Sequence, residues 1–197
     1  MKIIYARSFV LMLLTAFILC ACGNKHEAHY HGDTLQLDGE WYSHADSYLY
    51  KESNKKICKT EDGATLYEVE GDEERNYVVC RVLWEARLFV KDSYSPDRTI
   101  ISGVCFGWSR DSYITDEKII DCVLSLESNE EFIDDNEEMM ESRSQRKHVY
   151  VKYGDEAVGE SIGSIFQHNN QYMYYSYSKR KVTVLTDEQL DLLLEYL

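Results

Sequence analysis

Apolar and polar residues alternate in short runs over much of the chain, and a period of two predicts strands. Residues 76–84 and 87–91 are rich in valine and other strand-forming residues, and they predict two consecutive strands with a turn at Glu85 and Ala86. Residues 148–153 alternate in the same way in the last third of the chain. The pattern therefore predicts a sheet of neighbouring short strands.

A hairpin is predicted near the C-terminus, where residues 164–168 and 171–177 flank Asn169 and Asn170. Four tyrosines lie on its second strand: Tyr172, Tyr174, Tyr175 and Tyr177. In a strand the first two share one face and the last two share the other. Exposed tyrosines would stack on sugars or quaternary amines, whereas buried ones would form core and a cross-strand ladder.

Three segments favour helices. Thr115 can cap the first, in which five apolar residues share one side: Ile119, Ile120, Val123, Leu124 and Leu126. A strand through the same residues is the alternative. Residues 129–142 are strongly acidic and predict a surface helix or an acidic loop. Thr186 and Gln189 form a capping box that opens a terminal helix.

The order of these elements predicts one α+β domain over residues 39–197. It would contain an antiparallel sheet with a helical middle section and a C-terminal helix. Within it, Gly39-Glu40-Trp41-Tyr42 resembles the G-x-W element that opens the first strand of lipocalins, some of which are bacterial lipoproteins. That resemblance implies an alternative fold, a lipocalin-like β-barrel with a ligand cavity beneath Trp41.

The N-terminus has the layout of an export signal. Lys2 and Arg7 give a basic start, residues 9–19 are apolar, and Leu19-Cys20-Ala21-Cys22 follows. These four residues resemble the lipobox of bacterial lipoproteins, in which a leucine and then a small residue precede the cysteine that receives the lipid. Ala21 fits the small position before Cys22, whereas a leucine would occupy that position before Cys20.

The resemblance implies that residues 1–21 are a signal peptide and that Cys22 carries a diacylglyceryl group. Two acyl chains anchor a protein stably, whereas one does so only marginally. The protein is therefore expected on the extracytoplasmic side of a bacterial membrane, either the outer face of the cytoplasmic membrane or the outer membrane. Residues 22–38 are polar and predict a tether between the lipid and the domain.

Charge and motifs narrow the function classes. The net charge is −14, and removing Lys2 and Arg7 with the signal gives −14 − 2 = −16. Nucleic acid repels such an acidic chain, so it is not an expected partner. The sequence contains no zinc-protease motif and no phosphate-binding glycine loop.

A non-enzymatic binding or interaction module at the cell envelope is the interpretation that remains, with an envelope protein or a glycan as its partner. The alternatives are a metal or small-ligand binder and an envelope enzyme. For an enzyme, His44, His148 and His168 are the candidate general bases.

A metal site is the second hypothesis for function, since His26, His29 and His31 lie within six residues of the predicted tether. Neutral imidazole is a common ligand of zinc and other transition metals. A solvated tether without a bound metal, and hence no cofactor, is the alternative.

Four cysteines follow the anchor: Cys58, Cys80, Cys105 and Cys122. An even number in an exported chain permits two disulfides. Cys80 and Cys105 both lie in strand-like runs and could face each other across a sheet. Buried free thiols are the alternative, because cysteine packs well as a small apolar residue.

Overall fold

Strands make up most of the secondary structure in the computed structural model, which describes residues 26–107, 112–129, 133, 139 and 143–197. In chain order the strands are β1 (Ala28–Tyr30), β2 (Thr34–Leu37), β3 (Glu40–Ala45), β4 (Tyr48–Leu49), β5 (Glu52–Lys59), β6 (Thr65–Val69), β7 (Tyr77–Val82), β8 (Glu85–Lys91), β9 (Ile101–Phe106), β10 (Lys147–Tyr153), β11 (Gly159–His168), β12 (Gln171–Ser176) and β13 (Lys181–Val184). The helices are α1 (Glu117–Ser128) and α2 (Asp187–Leu193), with short 3₁₀ turns at Arg143–Gln145 and Leu194–Tyr196.

The first sheet has the strand order β1-β2-β3-β8-β7-β6-β5 and curls into a half-barrel. Alternation along β7 sends its side chains to opposite faces. Val78 and Cys80 pack inside the curl with Phe89, whereas Val79 packs with Leu88 on the outer face. Full burial of each large apolar side chain contributes roughly 1.5–3 kcal/mol, so both faces stabilise the sheet.

The second sheet has the order β13-β12-β11-β10-β9, and β4 pairs with the first residues of β11. Helix α1 covers one face of this sheet: Val123 and Leu126 are fully buried against Val104, Val149 and other strand residues. Asp116 caps α1, with its carboxylate accepting from the Lys118 backbone N–H at 2.9 Å.

The two sheets are joined where the chain leaves β3 and enters β4 after two residues. The Ser161 backbone N–H donates to the Ser47 carbonyl at 2.8 Å beside this crossover. Val158 and Tyr48 of the second sheet region pack against Tyr77 and Leu88 on the outer face of the first sheet. The second sheet therefore rests against the outside of the half-barrel.

The predicted α+β class is wrong. Strands account for 48% of the structure and helices for 17%, and within the described residues of the middle section the helix is the 12-residue α1. The described strands also form two sheets instead of one. The predicted acidic helix over residues 129–142 falls largely outside the described residues.

Strands occupy part of residues 22–38, the segment predicted to be a polar tether. Its polar residues alternate with Ala28, Leu35 and Leu37, which are buried inside the half-barrel. Strands β1 and β2 pair with each other, and β2 pairs with β3, so the folded domain begins before residue 39. The predicted signal peptide and Cys22 lie outside the described residues.

The lipocalin-like alternative is not what the structure shows. The first sheet ends at β1 and β5 without closing, and Trp41 is 46% exposed. Tyr42, which is only 3% exposed, enters the core instead. Gly39, with φ of +85°, serves the tight turn from β2 to β3. Among the described residues, no helix has both the length and the apolar character to cross a membrane.

Candidate ligand-binding site

A cavity of about 530 Å³ opens between the C-terminal half of α1 and the second sheet, and we call it the α1 cavity. Residues from α1, from three neighbouring strands and from the segments beside them form its wall: Ile101, Leu124, Glu127, Val151, Tyr153, Glu160, Ser161, Ile162, Tyr177 and Ser178. Its size is within the range of pockets that hold small molecules.

Apolar side chains form much of the α1 cavity. Val151 belongs to the buried core, and Ile101, Leu124 and Ile162 pack against that core while remaining half-buried. Leu124 lies one position beyond the fully buried Val123 on α1, so the turn of the helix places it at the margin of the core. The cavity is thus an apolar surface that the helix leaves partly uncovered.

Glu127, in the last turn of α1, brings a carboxylate to the α1 cavity. One carboxylate oxygen accepts from the buried Tyr174 hydroxyl. The other accepts from Ser176 Oγ at 3.1 Å and Ser178 Oγ at 3.2 Å. These donors are uncharged hydroxyls, so the hydrogen bonds orient Glu127 without neutralising it.

Glu160, on β11, brings a second carboxylate to the wall. Its Oε2 lies 2.9 Å from Nη2 of Arg98, whose side chain is about half exposed. Tyr153 lies in the same wall, where burial and the nearby Glu160 raise its pKa and Arg98 lowers it. Glu127 also raises the Tyr153 pKa, which shows that both carboxylates act on this part of the cavity.

The wall contains a buried hydroxyl with an unmet hydrogen bond. Ser161 is 8% exposed, and its Oγ has no hydrogen-bond partner within the described part of the chain. An unsatisfied buried polar group costs about 1–3 kcal/mol, so the Ser161 hydroxyl lowers the stability of this part of β11. Ser161 lies at a bulge of β11, where the register with β10 shifts by one residue.

The end of α1 adds to the negative potential. The carbonyl groups at a helix C-terminus carry a partial negative charge. The last turn of α1 contains no basic residue, although Lys179 Nζ donates to the Asn129 carbonyl at 3.0 Å. The charged side chains of the described wall are Glu127 and Glu160, and both are acidic.

A second groove, of about 440 Å³, lies near the contact between the two sheets and is strongly acidic. Its carboxylates come from two loops, and Tyr77 and Tyr94 also line it: Asp72, Glu73, Glu74, Asp155 and Glu156. Burial raises the pKa of Asp72, whose Oδ2 accepts from the Tyr77 backbone N–H at 2.6 Å. We call this the acidic groove; its main groups are engaged in joining the sheets.

The structure does not bring the three predicted metal ligands together. His26 Nδ1 lies 2.6 Å from Asp38, His29 Nε2 lies 3.3 Å from Glu27, and the His31 ring lies beside Trp41. No group of three or more His, Cys, Asp or Glu residues in the described ranges is arranged to hold a metal ion. His26 instead precedes β1, His29 lies on β1 and His31 lies in the turn after it.

The four predicted disulfide cysteines are free thiols. Cys80 lies in the first sheet and Cys105 in the second, so they do not face each other across one sheet. Burial raises the pKa of all four thiols, and that of Cys80 to about 12. Their environment is that of core residues with low thiolate content.

The candidate general bases are spread over the molecule. His44 lies 3.5 Å from Asp46, and Nε2 of His168 lies 2.9 Å from Asn169. His148 Nδ1 lies 2.8 Å from the Tyr177 hydroxyl, and burial lowers the pKa of the His148 imidazole. None of these three histidines lines the α1 cavity.

The tyrosine hairpin divides its faces as the sequence predicts. Tyr172 and Tyr174 pack on the helix side of the second sheet. Tyr175 and Tyr177 lie on the other side, where their rings are 5.7 Å apart and Arg143 lies over Tyr175. Tyr174 reaches the site indirectly, as a donor to Glu127.

Sequence reasoning missed Glu127 and Glu160, because acidic residues are frequent in this chain and neither lies in a motif. The sequence contained one indication of the position of Glu127. It follows Val123 by four residues, so on a helix the two side chains lie on the same face, towards the sheet. No protein-family model matches the chain, and comparisons with curated proteins and with solved structures give no match. The α1 cavity therefore has to be interpreted from its own chemistry.

Proposed function

We propose that this protein is a lipid-anchored binding module on the extracytoplasmic side of a bacterial membrane, and that it takes a small ligand in the α1 cavity. The observation that carries the proposal is the cavity itself. It combines a half-buried apolar wall with two carboxylates. Pockets of small-molecule binding proteins have this composition, a mainly apolar lining with few polar groups.

The start of the domain is compatible with an anchor at Cys22. Ala28, the first residue of β1, follows Cys22 by six positions, and an extended chain over these six steps spans at most about 20 Å. The proposal therefore places the half-barrel close to the membrane, with little freedom to move away from it. Any ligand would be captured near the membrane surface.

The anchor is tested by membrane fractionation of cells that express the full chain. Cys22→Ser should release the protein into the soluble fraction, whereas Cys20→Ser, a matched control within the predicted signal peptide, should leave it in membranes. Retention of the Cys22→Ser protein in membranes would refute the anchor.

Binding in the α1 cavity is tested with a space-filling variant. Leu124→Phe adds volume at the margin of the cavity, and Leu83→Phe adds the same volume at a fully accessible turn. Suitable probes are 3-phenylpropylamine, 3-phenylpropan-1-ol and 3-phenylpropionate, which share one apolar body. We expect at least one probe to bind, and Leu124→Phe but not Leu83→Phe to abolish that binding. Absence of binding by all three probes would contradict the proposal.

A further inference from the structure

We propose that the α1 cavity selects an amphipathic organic cation, a small amine with an apolar body. This inference rests on the proposed function, because it assumes that the α1 cavity binds a ligand. It is derived from the charge of the wall, the position of the helix end and the apolar surface.

The charge of the wall disfavours anions and favours cations. Glu127 and Glu160 come from different elements, α1 and β11, and both line the cavity. Arg98 offsets Glu160, but the donors to Glu127 are the neutral hydroxyls of Tyr174, Ser176 and Ser178. Glu127 therefore keeps an uncompensated charge next to an apolar surface, where the effective dielectric constant is lower than in water.

The helix end strengthens this preference. Glu127 lies in the last turn of α1, where the backbone carbonyls carry the negative end of the helix dipole. Cations near a helix C-terminus are stabilising, and that turn contains no basic residue of its own. Lys179 Nζ donates to the Asn129 carbonyl at 3.0 Å and offsets part of this potential, so the helix end makes a smaller contribution than Glu127.

The head group of an amine fits the two carboxylates. An ammonium group offers three hydrogen-bond donors, and the carboxylate oxygens of Glu127 and Glu160 accept hydrogen bonds.

The apolar wall favours an organic cation over a metal ion. Ile101, Leu124, Val151 and Ile162 offer carbon surface that a hydrated metal ion would not use. No metal-binding group of three His, Cys, Asp or Glu residues exists in the described ranges. Burying an apolar body against this wall gains about 25 cal/mol per Å² of surface removed from water.

The test compares the three probes by titration calorimetry on the purified mature protein carrying Cys22→Ser. The three probes share a phenylethyl body and differ in the head group, and the amine and the alcohol also share the third CH₂. We expect 3-phenylpropylamine to bind about tenfold more tightly than 3-phenylpropan-1-ol, which corresponds to about 1.4 kcal/mol. We expect 3-phenylpropionate to bind more weakly than the alcohol.

Charge variants then locate the preference. Glu160→Gln and Glu127→Gln should each weaken binding of the amine by about threefold to tenfold and leave the alcohol unchanged. Glu73→Gln removes the same charge from the acidic groove and should change the binding of neither the amine nor the alcohol. If Glu127→Gln does not fold, Glu160→Gln alone decides the outcome.

The two proposals can fail separately. If no probe binds, the proposed function is wrong. If the alcohol binds as tightly as the amine, or if Glu73→Gln weakens the amine as much as Glu160→Gln does, binding is real but the inferred cation selectivity is wrong. Tighter binding of the acid would overturn the inference in the same way.

Discussion

The Tyr77 hydroxyl donates to Glu156 Oε2 at 2.8 Å and so ties the half-barrel to the second sheet. Tyr77 begins β7, and Glu156 lies in the turn between β10 and β11. The Tyr94 hydroxyl donates to the other oxygen of Glu156, and the two tyrosine rings pack edge to face 5.5 Å apart. Burial and Glu156 raise the pKa of both tyrosines, which keeps their hydroxyls protonated as donors.

Tyr77→Phe should lower the free energy of unfolding by about 2 kcal/mol, because it removes a buried hydrogen bond to a carboxylate. Tyr67→Phe makes the same change on the neighbouring strand β6 at a tyrosine outside this bridge and should have a smaller effect. Urea denaturation of the three proteins measures both changes. Equal losses for the two variants would show that the bridge does not hold the sheets together.

Asp72 should give stability an unusual dependence on pH. Burial raises its pKa above the ordinary value of 3.8, so the folded state holds the proton to a higher pH than the unfolded state does. The free energy of unfolding therefore falls as pH rises from about 3.8 through the folded-state pKa. Asp72→Asn removes this ionisation, and its stability relative to wild type should increase over that range.

Asp97 is the control for this pH dependence, because its pKa is lowered by hydrogen bonds from Thr99. Its carboxylate contributes stability that is present above the unfolded-state pKa and lost as pH falls through the folded-state pKa. Relative to wild type, Asp97→Asn should therefore lose stability as pH rises, opposite to Asp72→Asn. Urea denaturation between pH 3 and 7 distinguishes them, and parallel curves would contradict the raised pKa of Asp72.

Gly163 is expected to tolerate no side chain. A Cβ at this position would overlap the ring of Tyr174, which crosses β11 from the paired strand β12. Gly163→Ala should cost about 2–3 kcal/mol of stability through overpacking and should displace the hydroxyl that donates to Glu127. Thermal unfolding measures the loss. Ser161→Ala, on the same strand, should be neutral or stabilising because it removes an unpartnered hydroxyl.

Local signals in the sequence predicted several elements correctly. Asn169 and Asn170 both adopt positive φ, 48° and 63°, in the turn of the β11–β12 hairpin. Thr186 and Gln189 form the capping box of α2 in the expected geometry. The β7–β8 turn was misplaced: it falls at Leu83 and Trp84, which are 85% and 92% exposed, and β8 begins at Glu85.

The division into two sheets and the α1 cavity could not be predicted in this way. Both depend on pairings between strands that are distant in sequence, such as β3 with β8 and β4 with β11. Leu83 lies among strand-forming residues, but it adopts a φ of +57° because the geometry of the hairpin turn overrides the local preference for a strand. Glu160 acquires its place in the wall only through the register of β11.

The four described cysteines should be fully reduced in the folded protein. Cys58 is half-buried and the other three are buried, and burial raises the pKa of every thiol. We expect Cys58 to react first with a thiol reagent at pH 8, and all four to react rapidly only after unfolding. A reducing agent should leave the melting temperature unchanged. A drop in melting temperature would indicate a disulfide.

The most direct test of the central claim is a titration of the ¹⁵N-labelled mature Cys22→Ser protein with 3-phenylpropylamine, followed by two-dimensional NMR. The account predicts that the amide shifts concentrate at residues of the α1 cavity, such as Leu124, Val151 and Ile162. The acidic groove around Asp72 and Glu156 should remain unperturbed. An unchanged spectrum, or shifts confined to the acidic groove, would contradict the assignment of the α1 cavity as the binding site.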